Sequence, residues 1–210
     1  QRLYKASDYD SFSITREQVR RSRRGYFANI SYIDDKVGSL LSVLERTRMA
    51  DDTIVVFCSD HGDMLGERGL WFKMSFLEGS ARVPLTIAGK NIAAGLIGEP
   101  TSNLDILPTL CDLAGIDISA IMPWTDGQSL KPLIEGQGRS EPVLMEYAAE
   151  GSYAPLVGIR EGRYKFIHCE IDPPQLFDLE SDPRERTNLA ADPAHAGLVA
   201  AFMEKVRARW

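Results

Sequence analysis

Residues 53–62 read Thr-Ile-Val-Val-Phe-Cys-Ser-Asp-His-Gly, an apolar run that ends on Asp60, His61 and Gly62. The β-branched and aromatic residues at 54–57 predict a central strand of a parallel sheet, covered on both faces. Because ligands of open α/β sheets bind outside the carboxyl ends of the strands, a carboxylate and an imidazole here can hold a divalent metal ion. Local chemistry alone leaves a metal site and a structural turn cap equally open, since Asp-His-Gly is short and common.

A long amphipathic helix is predicted upstream of this strand. Between residues 15 and 49, apolar side chains recur at helical spacing, and either Ser13 or Thr15 can cap the first turn. Whether the helix breaks near Gly25 is left open by the pattern. The connection from this helix to the strand is of ordinary length for an α/β unit.

Downstream of the strand, the sequence predicts a tight turn and then a second strand. Gly62 is expected to let the backbone turn away, and the glycine-punctuated residues 63–69 predict a loop rather than a helix. Residues 82–88 predict another short strand, with Pro84 at its start or on an edge. A second β-element is therefore expected beside the first.

The remainder of the chain predicts a change from helices to a small antiparallel sheet. The pattern divides the chain into an α/β part, residues 1–140, and a small antiparallel β subdomain, residues 141–210. Gly115 is expected to end a helix that spans residues 103–114. The predicted elements are helices at 103–114 and 130–134, strands at 143–147, 156–160, 164–169 and 175–178 with a hairpin at 161–162, and a final helix opened by Asp192-Pro193.

Composition excludes several classes of function. The net charge of -6, with no basic tail, argues against a general binder of nucleic acid or anionic membranes. No stretch approaches the roughly 20 apolar residues of a membrane helix. The three cysteines form no C-x-x-C motif, which suggests a reducing compartment and hence the cytoplasm, with the periplasm as the alternative. A soluble small-molecule partner is expected.

Several short motifs follow one another in order along most of the chain. They are Tyr32-Ile-Asp-Asp-Lys-Val-Gly38, Ser59-Asp-His-Gly-Asp-Met-Leu-Gly66, Ala81-Arg-Val-Pro-Leu85, Leu104-Asp-Ile-Leu-Pro-Thr-Leu110, Asp126-Gly-Gln-Ser-Leu130, Arg163-Tyr-Lys-Phe166 and Leu176-Phe-Asp-Leu-Glu180, with Lys73 between the second and the third. Read together, they strongly resemble the sulfatase family of the alkaline phosphatase superfamily. Residues 60–74 and 173–179 look most like choline sulfatases, with phosphonate monoester hydrolases as near relatives.

This resemblance implies an α/β, alkaline-phosphatase-like fold: part of a mixed or parallel sheet with flanking helices, then a small antiparallel sheet packed by a carboxy-terminal helix. Residues 1–140 would be the carboxy-terminal part of the sulfatase catalytic α/β domain, and residues 141–210 the small β subdomain. It implies hydrolysis of sulfate esters, with choline sulfate as the expected substrate. Asp60 and His61 would be metal ligands, for Ca²⁺ first, with Mg²⁺ or Mn²⁺ as alternatives. Lys73 would reach the sulfate and the formylglycine nucleophile.

Two parts of such an enzyme are missing from the sequence. Sulfatases make formylglycine from the cysteine of a Cys-X-Pro-X-Arg or similar motif, and none of Cys58, Cys111 and Cys169 begins one. The paired aspartates that complete the family's metal site are also missing, because Asp34-Asp35 lies within the predicted helix. The chain thus looks like the carboxy-terminal half of a larger enzyme, and we expect it to be inactive alone.

The resemblance to choline sulfatases also suggests where choline would bind. Its quaternary ammonium group is held by aromatic faces and carboxylates, and Glu146, Tyr147, Glu150 and Tyr153 cluster where the second subdomain opens. Glu150 is the first candidate for this contact. The alternative is that Glu146 and Glu150 are surface charges of a hairpin.

Other functions remain open at this point. A phosphonate monoester or phosphodiester hydrolase would make similar demands on the metal and Lys73, and a non-catalytic fragment or assembly module is a third hypothesis. A lone carboxy-terminal half should expose a sheet edge and an apolar face. We therefore expect self-association or pairing with the missing amino-terminal half, besides binding of a small-molecule sulfate ester.

Overall fold

The computed structural model describes residues 14–138, 141–149 and 152–210. The chain divides into two compact units, Gln1–Ile92 and Ala93–Trp210. The first unit carries the long helix and the strand that ends at Asp60. The second carries the antiparallel sheet and the last helix. The domain boundary that the sequence suggested after residue 140 stays a prediction.

The first described element of the first unit is helix α1, Arg16–Arg46, which runs unbroken through Gly25. Thr15 is its cap: the Thr15 hydroxyl accepts from the Gln18 backbone N–H at 3.2 Å, and the Thr15 N–H donates to the Gln18 side chain at 2.8 Å. This reciprocal pair satisfies two donors at the helix start. None of the residues of α1 is buried. No helix in the described ranges has the length and apolar character that a membrane crossing needs.

Strand β1, Val55–Cys58, follows α1 and pairs antiparallel with a later strand, Leu85–Ala88, numbered β4 below. Its neighbour within the described residues is thus antiparallel, not parallel as the apolar run had predicted. The pair forms a two-stranded sheet in which Phe57 is 39% exposed, so the expected cover on both faces is not supplied by the described residues. An apolar run reports that a strand will be covered, but not by which segment or in which direction.

Residues 63–69, predicted as a loop, instead begin a short hairpin. Strand β2, Met64–Leu65, pairs with β3, Trp71–Phe72, with Met64 opposite Phe72 and Leu65 opposite Trp71. Gly66 begins the turn with φ of 92°, a conformation that favours glycine. Strands of two residues carry no measurable alternation, which is why the pattern indicated only a loop. Helix α2, Glu78–Ala81, follows the hairpin and precedes β4.

In the second unit, a 3-10 turn at Asn103–Asp105 leads into helix α3, Ile106–Leu113, as predicted. Asp105 is 1% exposed, and its carboxylate accepts hydrogen bonds from the backbone N–H groups of Ser102 and Gln128, at 2.8 and 2.9 Å. It therefore ties the helix start to the connecting segment. Helix α4, Lys131–Ile134, follows where the sequence placed a short helix.

The antiparallel sheet and its helix form the main core of the second unit. The four strands are β5, Val143–Tyr147, β6, Leu156–Glu161, β7, Tyr164–Cys169, and β8, Asp172–Asp178, in that spatial order, and helix α5 is Ala196–Arg209. Ile159, Phe166 and Leu176 pack with Phe202 and Val206 of α5. The four predicted strands and the final helix are present, but β8 begins at Asp172, three residues before the predicted start at Gln175. The hairpin turn is shifted by one residue, because Glu161 pairs with Tyr164.

Candidate active site

Asp60 and His61 follow the end of β1 and form a tight turn. Asp60 Oδ1 accepts from the His61 backbone N–H at 2.9 Å, and Ser59 Oγ donates to the His61 carbonyl at 2.8 Å. The second carboxylate oxygen faces the imidazole, with 3.5 Å between Asp60 Oδ2 and His61 Nε2. One oxygen therefore serves the turn while the other faces a ring nitrogen. The turn-cap and metal-ligand interpretations of Asp60 are compatible with each other.

The backbone sets which nitrogen of His61 could bind a metal ion. His61 Nδ1 lies 2.8 Å from the carbonyl oxygen of Gly62. Because a carbonyl only accepts hydrogen bonds, a neutral His61 carries its proton on Nδ1 and leaves the Nε2 lone pair beside Asp60. Two ligand atoms at a right angle around one Ca²⁺ ion, each roughly 2.4 Å away, are about 3.4 Å apart. The Asp60–His61 pair therefore fits as two adjacent ligands of one divalent cation.

The electrostatics of the pair also suit a metal ligand. The hydrogen bond from the His61 backbone lowers the pKa of Asp60, and the charge of the imidazolium form adds to the effect. The side chains of Asp60 and His61 are 84% and 34% exposed. At neutral pH, Asp60 is therefore ionised and accessible to an ion.

The described residues supply only part of a metal site. Among them, no group of three or more His, Cys, Asp and Glu side chains is arranged to hold a metal ion. Since Ca²⁺ takes roughly six to eight oxygen ligands, Asp60 and His61 would need further ligands from other parts of the protein. Their role as metal ligands stays a prediction.

Lys73 comes directly after β3 and its side chain is exposed. Its backbone is linked to the Asp-His turn by Ser80 of α2, a residue that is 3% exposed. Ser80 Oγ donates to the Lys73 carbonyl at 2.6 Å, and the Ser80 carbonyl accepts from Gly62 N–H at 2.8 Å. Ser80 thus joins the two predicted parts of the site. No sequence pattern predicts this link, because a serine that follows Glu78 and Gly79 is also typical of a surface turn.

Gly62 has a different role from the predicted one. The described residues with positive φ do not include it. A Cβ atom built at Gly62 would lie 2.4 Å from the carbonyl oxygen of Gly79. Glycine is required because two backbone segments approach closely, and not because the turn needs unusual dihedral angles.

The predicted choline contact cannot be located, since Glu150 lies outside the described residues. Of its predicted neighbours, Glu146 accepts a hydrogen bond from Trp210 Nε1, and Tyr153 is 64% exposed. The sequence had not linked Glu146 with the last residue of the chain. The choline contact of Glu150 therefore stays a prediction, as does the clustering of Glu146, Tyr147 and Tyr153 around it.

Comparison with known proteins identifies relatives along nearly the whole chain. A family profile described as "Sulfatase" matches residues 2–116, and one described as "N-sulphoglucosamine sulphohydrolase, C-terminal" matches residues 66–209. The choline-sulfatase of Rhizobium meliloti (strain 1021) is 62% identical over 213 aligned residues, which cover 100% of this chain and 42% of that protein.

Solved structures agree with the sequence relatives. A 2-O GAG sulfatase superposes with a TM-score of 0.80 at 32% identity, over 92% of this chain and 43% of the other. The phosphonate monoester hydrolase of Agrobacterium radiobacter gives 0.79 at 30% identity, over 92% and 42%. The predicted alkaline-phosphatase-like α/β class is confirmed. The chain spans less than half the length of these relatives, and it corresponds to a carboxy-terminal portion of them.

Proposed function

The chain belongs to the sulfatase family, and from this premise we propose that the protein hydrolyses sulfate esters, with choline sulfate as its substrate. The observation that carries the proposal is the Asp60–His61 pair, whose Oδ2 and Nε2 atoms lie 3.5 Å apart at the end of β1. Choline sulfate is the substrate named by a relative 62% identical to the chain. Because the chain spans 42% of that relative, the activity belongs to a longer polypeptide.

In this proposal each described site residue has one role. Asp60 and His61 hold a divalent cation, Ca²⁺ first and Mg²⁺ or Mn²⁺ as alternatives, which when bound polarises the oxygens of the ester. Lys73 presents a positive charge that stabilises the charge developing on the sulfuryl group. The formylglycine nucleophile comes from a segment that this chain lacks, so the 210 residues alone are inactive.

Choline selectivity is assigned to Glu150, because a carboxylate is the natural partner of a quaternary ammonium group that donates no hydrogen bonds. Glu150→Gln should raise the KM for choline sulfate by about tenfold, because one charge–charge attraction is lost, and leave the KM for 4-nitrophenyl sulfate unchanged. Steady-state kinetics on both esters measure this difference. Equal effects on the two substrates would remove Glu150 from this role.

The first unit has exposed apolar side chains on α1 that a partner would cover. Helix α1 has no buried residue, and apolar side chains including Phe27, Ile30 and Ile33 are 60%, 48% and 50% exposed. We propose that an amino-terminal half, such as the part of the relatives that this chain does not match, covers this face. When the chain is separated from such a segment, copies of the chain would use the same face to self-associate. A cytoplasmic location also stays a proposal; the cysteines Cys58, Cys111 and Cys169 are all free thiols.

A second candidate function is phosphonate monoester or phosphodiester hydrolysis. It is favoured by the likeness to the Agrobacterium radiobacter phosphonate monoester hydrolase, at 30% identity and a TM-score of 0.79. Tetrahedral phosphonate and sulfate groups can use the same metal ion and lysine. A non-catalytic assembly module is less well supported, because Asp60, His61 and Lys73 are all present.

The deciding experiment uses the complete natural polypeptide that contains this chain, expressed with a formylglycine-generating enzyme. Release of inorganic sulfate from choline sulfate, and of phenol from the monoester phenyl methylphosphonate, would be measured side by side. We expect higher kcat/KM on choline sulfate, and activity lost with chelator and restored by Ca²⁺ or Mn²⁺. A preference for the phosphonate would favour the second function. Turnover of neither ester would contradict both.

A further inference from the structure

Helix α1 contacts the β2–β3 hairpin through one narrow stripe. Val19, Arg23 and Tyr26 are half-buried, whereas most residues around them on the helix are exposed. Their spacing of four and three residues places them on one face. Val19 packs beside Gly66, where an added Cβ would lie 3.2 Å from Val19 Cγ1. Partial burial raises the pKa of Tyr26, and the charge of Asp63 and a hydrogen bond to it add to the rise.

Arg23 and Glu67 close a ring of hydrogen bonds around Leu65 of β2. Arg23 Nε donates to the Leu65 carbonyl at 2.9 Å, and Arg23 Nη2 donates to Glu67 Oε1 at 2.7 Å. Glu67 Oε2 accepts from the Leu65 N–H at 2.6 Å. Both backbone polar groups of Leu65 are therefore bound by this pair of side chains. The planar fork of arginine suits this double contact, which a lysine could make only in part.

The ring of hydrogen bonds holds one strand of the β2–β3 pair, and Lys73 follows the other strand. Leu65 pairs with Trp71 and Met64 with Phe72, and Lys73 follows Phe72 directly. Phe72 has φ of 64°, an unfavourable conformation for a bulky residue. Such a conformation persists only where the surrounding contacts hold it. The direction in which the chain leaves β3, and hence the place of Lys73, depends on the hairpin being held.

The hairpin is held at its two ends by different residues. Ser80 binds the Lys73 carbonyl and Gly62, beside the Asp60–His61 turn. Arg23 and Glu67 hold the other end and fasten it to α1. We propose that Arg23 and Glu67 are positioning residues, which fix the β2–β3 hairpin on α1 and thereby set Lys73 in its place. The inference rests on the catalytic role proposed for Lys73.

The mechanical part of the inference is tested without any catalytic readout. Hydrogen–deuterium exchange of the peptide spanning residues 64–74 is compared in the complete polypeptide and its variants. Arg23→Ala should speed exchange there by about tenfold, since charged hydrogen bonds are lost. The matched control is Arg20→Ala, which removes the same charge from an exposed position of α1 and should leave exchange unchanged. Unchanged exchange in Arg23→Ala would overturn the proposal.

The functional part is tested by a double-mutant cycle with Lys73. Arg23→Ala should lower kcat/KM for the best ester substrate by about tenfold, and Arg23→Lys by less, because it keeps the charge but loses the fork. In a Lys73→Ala background, Arg23→Ala should change kcat/KM less than about twofold. An equal fall in both backgrounds would show that Arg23 acts on general folding and would overturn the positioning role.

The two tests separate this inference from the proposed function. If the wild-type polypeptide turns over no sulfate or phosphonate ester, the proposed function fails, and the exchange experiment alone decides whether Arg23 holds the hairpin. If the wild type is active and Arg23→Ala matches wild type in both tests, the inference fails while the proposed function stands.

Discussion

Single residues around the Asp-His turn are constrained by their neighbours more than by their own conformational preferences. Gly62 and Gly79 bring two backbone segments into contact, and a Cβ atom built at Gly79 would lie 2.8 Å from Met64 Sδ. Ser80, which follows Gly79, forms hydrogen bonds with the Gly62 N–H and with the Lys73 carbonyl. Substitutions here should therefore act on the site through steric clash and loss of hydrogen bonds.

Gly62→Ala is expected to destabilise the protein and to lower its activity, because the new methyl group would lie 2.4 Å from the Gly79 carbonyl oxygen. Gly25→Ala is the matched control: nothing lies within 4 Å of its added Cβ in the middle of α1. The control should stabilise the protein by about 0.5–1 kcal/mol, the usual gain for glycine to alanine in a helix. Urea unfolding of the two variants measures both changes in stability. A neutral Gly62→Ala would contradict the close approach.

Asp178 at the end of β8 should make the stability of the protein depend on pH in the acidic range. Hydrogen bonds from Arg163 hold its pKa well below the usual range, and Ser181 Oγ adds another at 2.7 Å. Because the native pKa is lowered, this stabilisation is complete above the unfolded pKa of about 3.9 and is lost as pH falls toward the native value. The stability gap between wild type and Asp178→Asn should therefore be widest near neutral pH and narrow below pH about 4. A gap independent of pH would contradict the assignment.

Among the elements, the carboxy-terminal sheet is held by motif residues with structural roles. Lys165 of β7 and Glu185 form a buried pair, at 2.8 Å with side chains 2% and 4% exposed. Arg163 and Asp178, which belong to two of the family motifs, pair with each other. These motifs identified the family correctly. In the described residues, however, their side chains stabilise the sheet and do not form a second reactive site.

Truncation of Phe202 of α5 should strongly destabilise this core. Phe202 is 3% exposed and its ring stacks on Phe166 with 5.5 Å between centroids. Phe202→Ala should cost about 3–5 kcal/mol, through lost burial and the cavity left behind. Arg207→Ala, whose exposed side chain pairs with Glu204, should change stability by less than about 0.5 kcal/mol. Thermal unfolding of both variants measures the difference, and similar losses would contradict this core.

At the scale of the whole molecule, the two units differ in how much of their apolar surface they cover themselves. The second unit buries Ile159, Phe166 and Leu176 completely. In the part of the first unit that the structure describes, α1 buries no residue and β1 has a single strand neighbour. The partner proposed above would cover apolar surface of the first unit, whereas the sheet and α5 of the second unit form a core of their own.

The 210-residue chain expressed alone should self-associate through α1. Replacing Phe27 and Ile33 with serine removes two exposed apolar side chains, 60% and 50% exposed, and should shift the chain toward monomer. Light scattering coupled to size-exclusion chromatography measures this. The control replaces Asp34 and Lys36 of the same helix, both exposed. A wild-type chain that is monomeric at all concentrations would contradict the expected association.

The sequence by itself determined the elements with a strong repeating pattern. The capped helix α1, strands β5 to β7 and the last helix lie where periodicity and turn residues placed them, because these signals depend on neighbours a few residues away. It also placed Asp60 and His61 at a strand end. Tertiary structure decided the antiparallel partner of β1, the β2–β3 hairpin, and the links made by Ser80 and Arg23. These depend on contacts between residues distant in sequence, which no local pattern records.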